Sequence, residues 1–192
     1  MIYFLRHGLD DERFIGGWSN GELIWRGREQ VKEAVSFLKE HPIHFDRIYT
    51  SDLSRALETA QMVQKEFEVP IIKDERLREL NKGDLNGMYI VEANLKHNYR
   101  EFLQNMTIDT TYPNGESLRI FWERMADSLP YFLEQDDALI VTHRGVINYL
   151  YYQMNNMFAD GRAINMDKGQ FNVTHASIHE YDPKTKQIQK IY

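Results

Sequence analysis

The chain has no cysteine among its 192 residues. This absence excludes a disulfide framework, a thiolate nucleophile and a cysteine zinc site, and it is typical of the reducing cytoplasm, where we expect the protein to lie. Long apolar runs are also missing. The run at residues 2–5 ends at a charge and is too short for a secretion signal, and no later stretch approaches the ~18 residues of a membrane span. We therefore expect neither secretion nor association with a membrane.

Positive charge is in short supply as well. The chain carries 23 lysines and arginines against 29 acidic residues, which gives a formal net charge of −6. Nucleic-acid binding needs a basic face that neutralises phosphates, so we expect no nucleic-acid partner. A small phosphorylated ligand would have to be held by a few local cations, and the positions of individual arginines therefore matter more than the net charge.

Short apolar segments alternate along the chain with helical patterns of ten or more residues. The patterns predict strands at 2–5, 46–50, 69–72, 138–142, 176–181 and 187–191, and helices at 27–40, after a Ser51 cap, at 89–105, at 116–134 and at 146–154. This alternation favours an α/β fold, a three-layer sandwich in which a mostly parallel sheet has helices on both faces and the last two strands form a hairpin. We predict a single domain over 1–192, with a lid at 86–117, where the alternation is interrupted.

Two histidines occupy equivalent places in this predicted sheet. His7 follows the first strand and His143 follows the fourth, and each stands beside an arginine and shortly before a glycine. Ligands of open α/β sheets bind beyond the carboxyl ends of the strands, so both histidines are candidates for one site. Arg55, one turn into the helix after the second strand, and Glu79, at the end of the third strand segment, belong to the same edge.

The residue types at this edge suit phosphoryl chemistry. Cations converging on one place would repel each other without an anion, and the planar fork of arginine matches two phosphoryl oxygens. A neutral imidazole is a competent nucleophile toward phosphorus when its other nitrogen donates to a fixed acceptor. A carboxyl group in its protonated form would protonate the departing alkoxide, and Glu79 is the carboxyl at this edge. Position alone does not rank His7 above His143 as the nucleophile.

Five motifs in this order make the pattern specific: Leu5-Arg6-His7-Gly8, residues 51–60 (SDLSRALETA), residues 77–80 with 83–87 (LREL and GDLNG), Gly115-Glu116-Ser117, and Val141-Thr142-His143-Arg144-Gly145. Together they resemble the histidine phosphatase superfamily, whose fold is phosphoglycerate-mutase-like, and the resemblance runs through most of the chain.

The resemblance implies a role for each residue of the candidate site. His7 would be the phosphorylated nucleophile, His143 the second histidine of the phosphate pocket, and Glu79 the proton donor. Arg6 and Arg55 would bind the phosphate. The expected partner is a small phosphorylated metabolite, and no metal or other cofactor is expected because the arginines supply the positive charge.

Three residues depart from the family pattern or adjoin the site as candidate rim residues. Asp10 stands where Ser or Thr is usual, and Arg13 stands near the place of a usual Asn, in a first loop that looks shortened. Asp10 would face outward, pair with Arg13, or narrow the range of substrates. Arg144, where glycine is frequent, is either a further cation of the pocket or the partner of a surface ion pair.

Two other histidines, His175 and His179, lie four residues apart, a metal-ligand spacing on a helix. Because the surrounding pattern indicates a strand and no carboxylate partner is evident, we interpret both as structural residues.

Three functions remain open at this point. The first is a phosphomonoesterase acting through a phosphohistidine on His7. The second is a phosphoglycerate mutase using the same intermediate, although mutases of this family tend to be longer. The third is a catalytically silent member that binds a phosphorylated ligand or a protein. The sequence is compatible with a monomer or a homodimer, and it does not identify which phosphate ester is the substrate.

Overall fold

The computed structural model describes residues 1–157 and 171–192. Its strands and helices, in chain order, are β1 (Ile2–Arg6), α1 (Trp25–Glu40), β2 (Arg47–Thr50), α2 (Ser54–Phe67), β3 (Ile71–Lys73), α3 (Ile90–His97), α4 (Tyr99–Asn105), α5 (Leu118–Leu133), β4 (Ala138–Thr142), α6 (Arg144–Met154), β5 (Ile178–Asp182) and β6 (Gln187–Lys190). Two short 3₁₀ turns, Glu75–Leu77 and Gly83–Leu85, lie between β3 and α3.

The strands described here form one mixed sheet in the order β3-β2-β4-β1-β5-β6. The pairs β3/β2, β2/β4 and β4/β1 are parallel, whereas β5 runs antiparallel to β1 and to β6. The predicted mostly parallel sheet and the closing hairpin are therefore confirmed. The parallel part brings the carboxyl ends of β1, β2 and β4 to one edge, where the candidate residues lie.

The two faces of the sheet each carry an apolar core. Residues 2–5 of β1 and 138–141 of β4 are apolar and buried, which is typical of strands covered on both faces. Successive side chains point to opposite faces, so Phe4 and Ile140 pack with α5 and α6, while Leu5 and Val141 pack with α1 and α2. Each of these helices buries one apolar stripe, which produces the predicted three layers.

Three predicted boundaries need correction. The helix predicted over 89–105 is two helices, because Asn98 has a φ of +48° and interrupts the helical conformation between α3 and α4. Asparagine tolerates this left-handed conformation better than most residues. The predicted Ser51 cap is also wrong, because α2 begins at Ser54 without a side-chain cap. The third strand is β3 at Ile71–Lys73 and not 69–72.

The segment 86–117, predicted as a lid, packs on its own small core. Ala93, Tyr99 and Tyr112 are buried together with Leu85 and with Ile15 of the first loop. An isolated bridge between Phe14 and Tyr89 ties the same two regions together. The role of this segment as a lid stays a prediction. Within the described residues, no helix is long and apolar enough to cross a membrane.

Candidate active site

Sheet register places the two candidate histidines side by side. Arg6 of β1 pairs with Thr142 of β4, so the next residues, His7 and His143, leave neighbouring parallel strands at the same level. Their ring centroids are 5.1 Å apart, and both side chains are buried. The structure thus brings together two residues that are separated by most of the chain.

His7 is held in the tautomer that a nucleophile requires. Its Nδ1 lies 2.7 Å from the carbonyl oxygen of Gly8, which can only accept, so Nδ1 carries the proton. The lone pair on Nε2 accepts a hydrogen bond of 3.2 Å from Nε of Arg55. Burial lowers the pKa of His7 well below its ordinary value, and the nearby Arg55, His143 and Arg6 lower it further. His7 is therefore a neutral imidazole.

Arg55 is almost fully buried, with 2% of its surface exposed, and it is clamped by the first loop. Its Nη1 donates to the carbonyl of Ser19 at 3.1 Å, and its Nη2 donates to the carbonyl of Gly17 at 2.7 Å. The Asp10 carboxylate lies 3.5 Å from its Nε. Burial lowers the pKa of Arg55, and Asp10 opposes that effect. These contacts fix the guanidinium beside Nε2 of His7.

Arg6 reaches the site from the end of β1. Its Nη1 donates to the carbonyl of Val173 at 2.9 Å, and its Nη2 donates to Nε2 of His175 at 2.6 Å. Burial lowers the pKa of Arg6 to about 10, so the guanidinium remains charged at neutral pH. Its Nε is buried without a hydrogen-bond partner.

His143 is the other buried group with an unpartnered atom. Its Nε2 lies 2.9 Å from Oγ of Ser51, whereas its Nδ1 has no partner. Burial lowers the pKa of His143 well below its ordinary value, and the positive charges of Arg55 and Arg6 lower it further. When the Ser51 hydroxyl donates to Nε2, Nδ1 carries the ring proton. Among the described residues, the unpartnered buried side-chain nitrogens are this Nδ1 and Nε of Arg6, and leaving such groups unpaired is costly.

Glu79 lines the same site as His7, and it lies after the 3₁₀ turn Glu75–Leu77 and not at the end of β3 as predicted. Its Oε1 accepts from the backbone N–H of Leu80 at 2.9 Å, and its Oε2 accepts from that of Gly145 at 3.0 Å. A Cβ at position 145 would lie 2.1 Å from Oε1, so the close approach requires glycine. The carboxylate is thereby fixed at the start of α6.

A brace that the sequence interpretation missed holds the Glu79 segment in place. Arg124 of α5 forms a two-point ion pair with Glu116, at 2.7 and 3.0 Å. Its remaining hydrogen bonds reach the carbonyls of Arg76, Arg78 and Glu79. The indole N–H of Trp18 donates to the same Glu79 carbonyl at 2.6 Å. No local pattern marks these residues, although Glu116 lies within a motif that the sequence shows.

The candidate rim residues separate into two groups. Asp10 faces inward and pairs with Arg55, which excludes two of the alternatives, an outward position and a pair with Arg13. Arg13 is exposed, pairs with Asp11 and is not among the residues that line the site. Arg144 is half-buried and lines the site. It has no ion pair within the described part of the chain.

The two histidines interpreted as structural have different surroundings. His179 is buried away from the site, between the hydroxyls of Tyr151 and Ser177 at 2.8 Å each. His175 instead lines the site, and its ring centroid lies 5.7 Å from that of His7. The structural interpretation of His175 therefore needs correction. The contact with Arg6 would have marked His175 as a residue of the site, but Arg6 is 169 residues away in the sequence. The local pattern therefore gives no sign of it.

One end of a cavity of about 700 Å³ is lined by Arg6, His7, Arg55, Glu79, Arg144 and His175. The apolar and aromatic part of its wall comes largely from the first loop, the segment 86–117 and α5: Phe14, Ile15, Ile90, Tyr99, Leu103, Met106, Tyr112, Leu118, Phe121, Trp122 and Tyr152. Over residues 1–157 and 171–192, no group of three or more histidine or acidic side chains is arranged to hold a metal ion.

The fold and the site define an α/β protein with a buried histidine and arginine cluster, suited to an oxyanion, at the carboxyl edge of parallel strands. Comparison with known proteins then identifies the family. Residues 2–192 match the model of the histidine phosphatase superfamily, branch 1. The chain belongs to this superfamily, as the motifs predict.

Similar proteins include both mutases and phosphatases. A 2,3-bisphosphoglycerate-dependent phosphoglycerate mutase of Parvibaculum lavamentivorans is 29% identical over 99% of this chain and 94% of its own. The structure of YhfR from Bacillus stearothermophilus is 26% identical, with a TM-score of 0.75 over 94% of this chain and 91% of that one. The alpha-ribazole phosphatase of Shigella flexneri shares the fold, with a TM-score of 0.77, 23% identity and coverage of 98% and 93%. These similarities confirm the predicted fold.

Proposed function

We propose that the protein is a phosphomonoesterase that hydrolyses a small phosphorylated metabolite through a phosphohistidine on His7. The observation that carries this proposal is the neutral His7 with its Nε2 lone pair beside Arg55, close to two buried nitrogens that lack partners. Oxygens of a bound phosphoryl group would satisfy Nε of Arg6 and Nδ1 of His143. The same groups would stabilise the charge that develops on those oxygens during transfer.

The proposed reaction has two steps. Nε2 of His7 attacks phosphorus while the bond from phosphorus to the alcohol oxygen breaks, and a protonated Glu79 gives its proton to that oxygen. Water then attacks phosphorus, the bond from phosphorus to Nε2 of His7 breaks, and the Glu79 carboxylate takes a proton from the water. Inorganic phosphate leaves, and both residues return to their starting states. The arginines supply the positive charge in this scheme.

The wall opposite the cations supports a substrate whose alcohol portion is apolar or aromatic. A phosphoryl group fills only a small part of a cavity of about 700 Å³, and the remaining wall is largely apolar. Charged side chains of both signs also line the cavity, namely Asp10, Glu12, Lys82 and Arg144. The segment 86–117 would cover the bound alcohol as a lid. We propose further that the protein acts in the cytoplasm, as a monomer or homodimer, without nucleic acid.

Hydrolysis of p-nitrophenyl phosphate and of a panel of phosphorylated metabolites tests the proposal. Wild type should turn over several of these esters, and His7→Ala should lose about 10⁴-fold or more in kcat because the nucleophile is gone. Exposed His44 provides the control variant His44→Ala, which should match wild type. Turnover by His7→Ala at the wild-type rate would refute the proposal.

Phosphoglycerate mutase is the second candidate, favoured by the similarity to a protein of that name. Interconversion of 2- and 3-phosphoglycerate in the presence of trace bisphosphoglycerate would identify a mutase. A catalytically silent member would bind phosphate without acid-labile phosphorylation of His7 when it is exposed to an activated phosphate donor.

A further inference from the structure

A turn just before β5 brings a third histidine to the phosphoryl end of the cavity. The backbone N–H of Arg6 donates to the carbonyl of Ser177, and the N–H of Ala176 donates to the carbonyl of His7. Ala176 has a φ of +56°, a left-handed conformation that is unfavourable for residues other than glycine. Such strain persists only where the surroundings enforce it. His175, the residue just before this strained position, therefore has a fixed place in the cavity wall.

His175 is the acceptor that Arg6 uses. The Nη2 of Arg6 donates to its Nε2 at 2.6 Å, and the carbonyl of Val173 takes Nη1. Both terminal nitrogens of the guanidinium are thus held by the same turn, which leaves the buried Nε as the unpartnered donor. An imidazole can accept only when it is neutral. Burial lowers the pKa of His175 to about 3, together with the positive charges of Arg6, Arg144 and Arg55. The imidazole is therefore neutral at neutral pH, and its Nε2 can accept a hydrogen bond.

Arg6 would otherwise have room to move. Arg6 and His175 also line a second cavity of about 620 Å³, in whose wall Glu33 supplies a carboxylate and Lys190 an ammonium group. Because Arg6 lies at the boundary of two cavities, its guanidinium has space on both sides. A hydrogen-bond partner is needed to fix it on one side. The hydrogen bond to His175 keeps Arg6 in one position, beside His7.

We propose that His175 is a positioning residue for phosphoryl binding, because its Nε2 holds the Arg6 guanidinium in place beside His7. The inference rests on the proposed function in one respect, that the group bound here is a phosphoryl group. His175 itself neither attacks phosphorus nor transfers a proton. It supplies a neutral acceptor within a cluster of arginines, and so it orders a cation without adding another positive charge.

Substitutions of similar size distinguish the effect of losing the hydrogen-bond acceptor from the effect of changed packing. His175→Gln keeps an oxygen that can accept from Arg6, whereas His175→Leu keeps the volume and removes the acceptor. His175→Ala is a second variant without an acceptor, in case His175→Leu does not fold. His44→Ala serves as the control. The measurements are the Kd of inorganic phosphate by isothermal titration calorimetry, kcat and KM for p-nitrophenyl phosphate, and Tm.

We expect His175→Leu and His175→Ala to weaken phosphate binding about tenfold to a hundredfold, the loss typical of a hydrogen bond to a charged group, with a matching rise in KM. His175→Gln should bind phosphate within a few-fold of wild type. Wild-type phosphate affinity in a folded variant without the acceptor would overturn the proposal. So would equal weakening in His175→Gln, which would indicate packing alone.

The binding measurement needs no turnover, so it separates this proposal from the proposed function. Wild type that binds phosphate without hydrolysing any ester would refute the phosphatase, and the phosphate affinities of the variants would still decide the role of His175. Wild type that does not bind phosphate at all would overturn both.

Discussion

The two ends of the cavity are built in different ways. The phosphoryl end consists of charged and hydrogen-bonding groups at the ends of β1 and β4 and the start of α2, each fixed by backbone or side-chain partners. The other end consists of apolar side chains from the first loop, the segment 86–117 and α5. We infer that the chemistry resides at the ordered sheet edge and that substrate choice resides in the apolar wall. Three variants test this division, from the largest expected effect to the smallest.

Glu79→Gln should affect the chemistry at the phosphoryl end most strongly among these three. The amide keeps the shape but cannot donate the proton, so kcat/KM for an alkyl phosphate should fall about 10²–10⁴-fold. The loss should be much smaller for p-nitrophenyl phosphate, because nitrophenolate leaves without protonation. Steady-state kinetics on both esters checks this. Equal losses on the two esters would show that Glu79 is not the proton donor.

Gly145→Ala should disturb the same end indirectly. A Cβ 2.1 Å from Oε1 of Glu79 would force the carboxylate to move, and a small misplacement of a catalytic group can cost up to about 10²-fold in rate. We expect that loss in kcat/KM for the alkyl phosphate with phosphate inhibition unchanged. Gly21→Ala, where a Cβ meets neighbours only at ordinary contact distances, is the control. Full activity in Gly145→Ala would indicate that the site tolerates a displaced Glu79.

Leu103→Ala should change only the apolar end, and by the smallest factor. Removing this wall residue should raise KM for naphthyl phosphate about threefold to tenfold through lost apolar contact, while inhibition by inorganic phosphate stays constant. Leu95→Ala is the control, because Leu95 lies in the same segment and is 81% exposed. A parallel change in phosphate inhibition would mean that the two ends are not separable.

The sequence predicted the sheet and its functional edge well, for a physical reason. β1 and β4 are short, mainly apolar strands that are each followed by a histidine, and parallel strands bring their carboxyl ends together whatever their separation in sequence. The break at Asn98 could also have been found, since Lys96 and His97 followed by asparagine are typical of a helix end. The family motifs ranked His7 above His143, which position alone could not do.

The features that the sequence missed depend on distant contacts. The partner of His175 is Arg6, and Arg124 reaches carbonyls 45 to 48 residues away. Neither contact leaves a periodicity or a spacing that a reader of the sequence could recognise. The inward position of Asp10 also depends on a distant contact, because its carboxylate pairs with the buried guanidinium of Arg55.

The brace formed by Arg124 also bears on how the site can fail. The stretch that carries Glu79 contains only 3₁₀ turns and follows the edge strand β3. Its order therefore depends on side-chain contacts, among them the ion pairs of Arg124 with Glu116 and of Arg78 with Asp52 and the hydrogen bonds of Arg124 to carbonyls of this stretch. Local opening there would withdraw the carboxyl group while His7 and His143 stayed on the central strands. A partly opened molecule would then still bind phosphate but lack the proposed proton donor. As the protein is heated, turnover should therefore be lost at a lower temperature than phosphate binding.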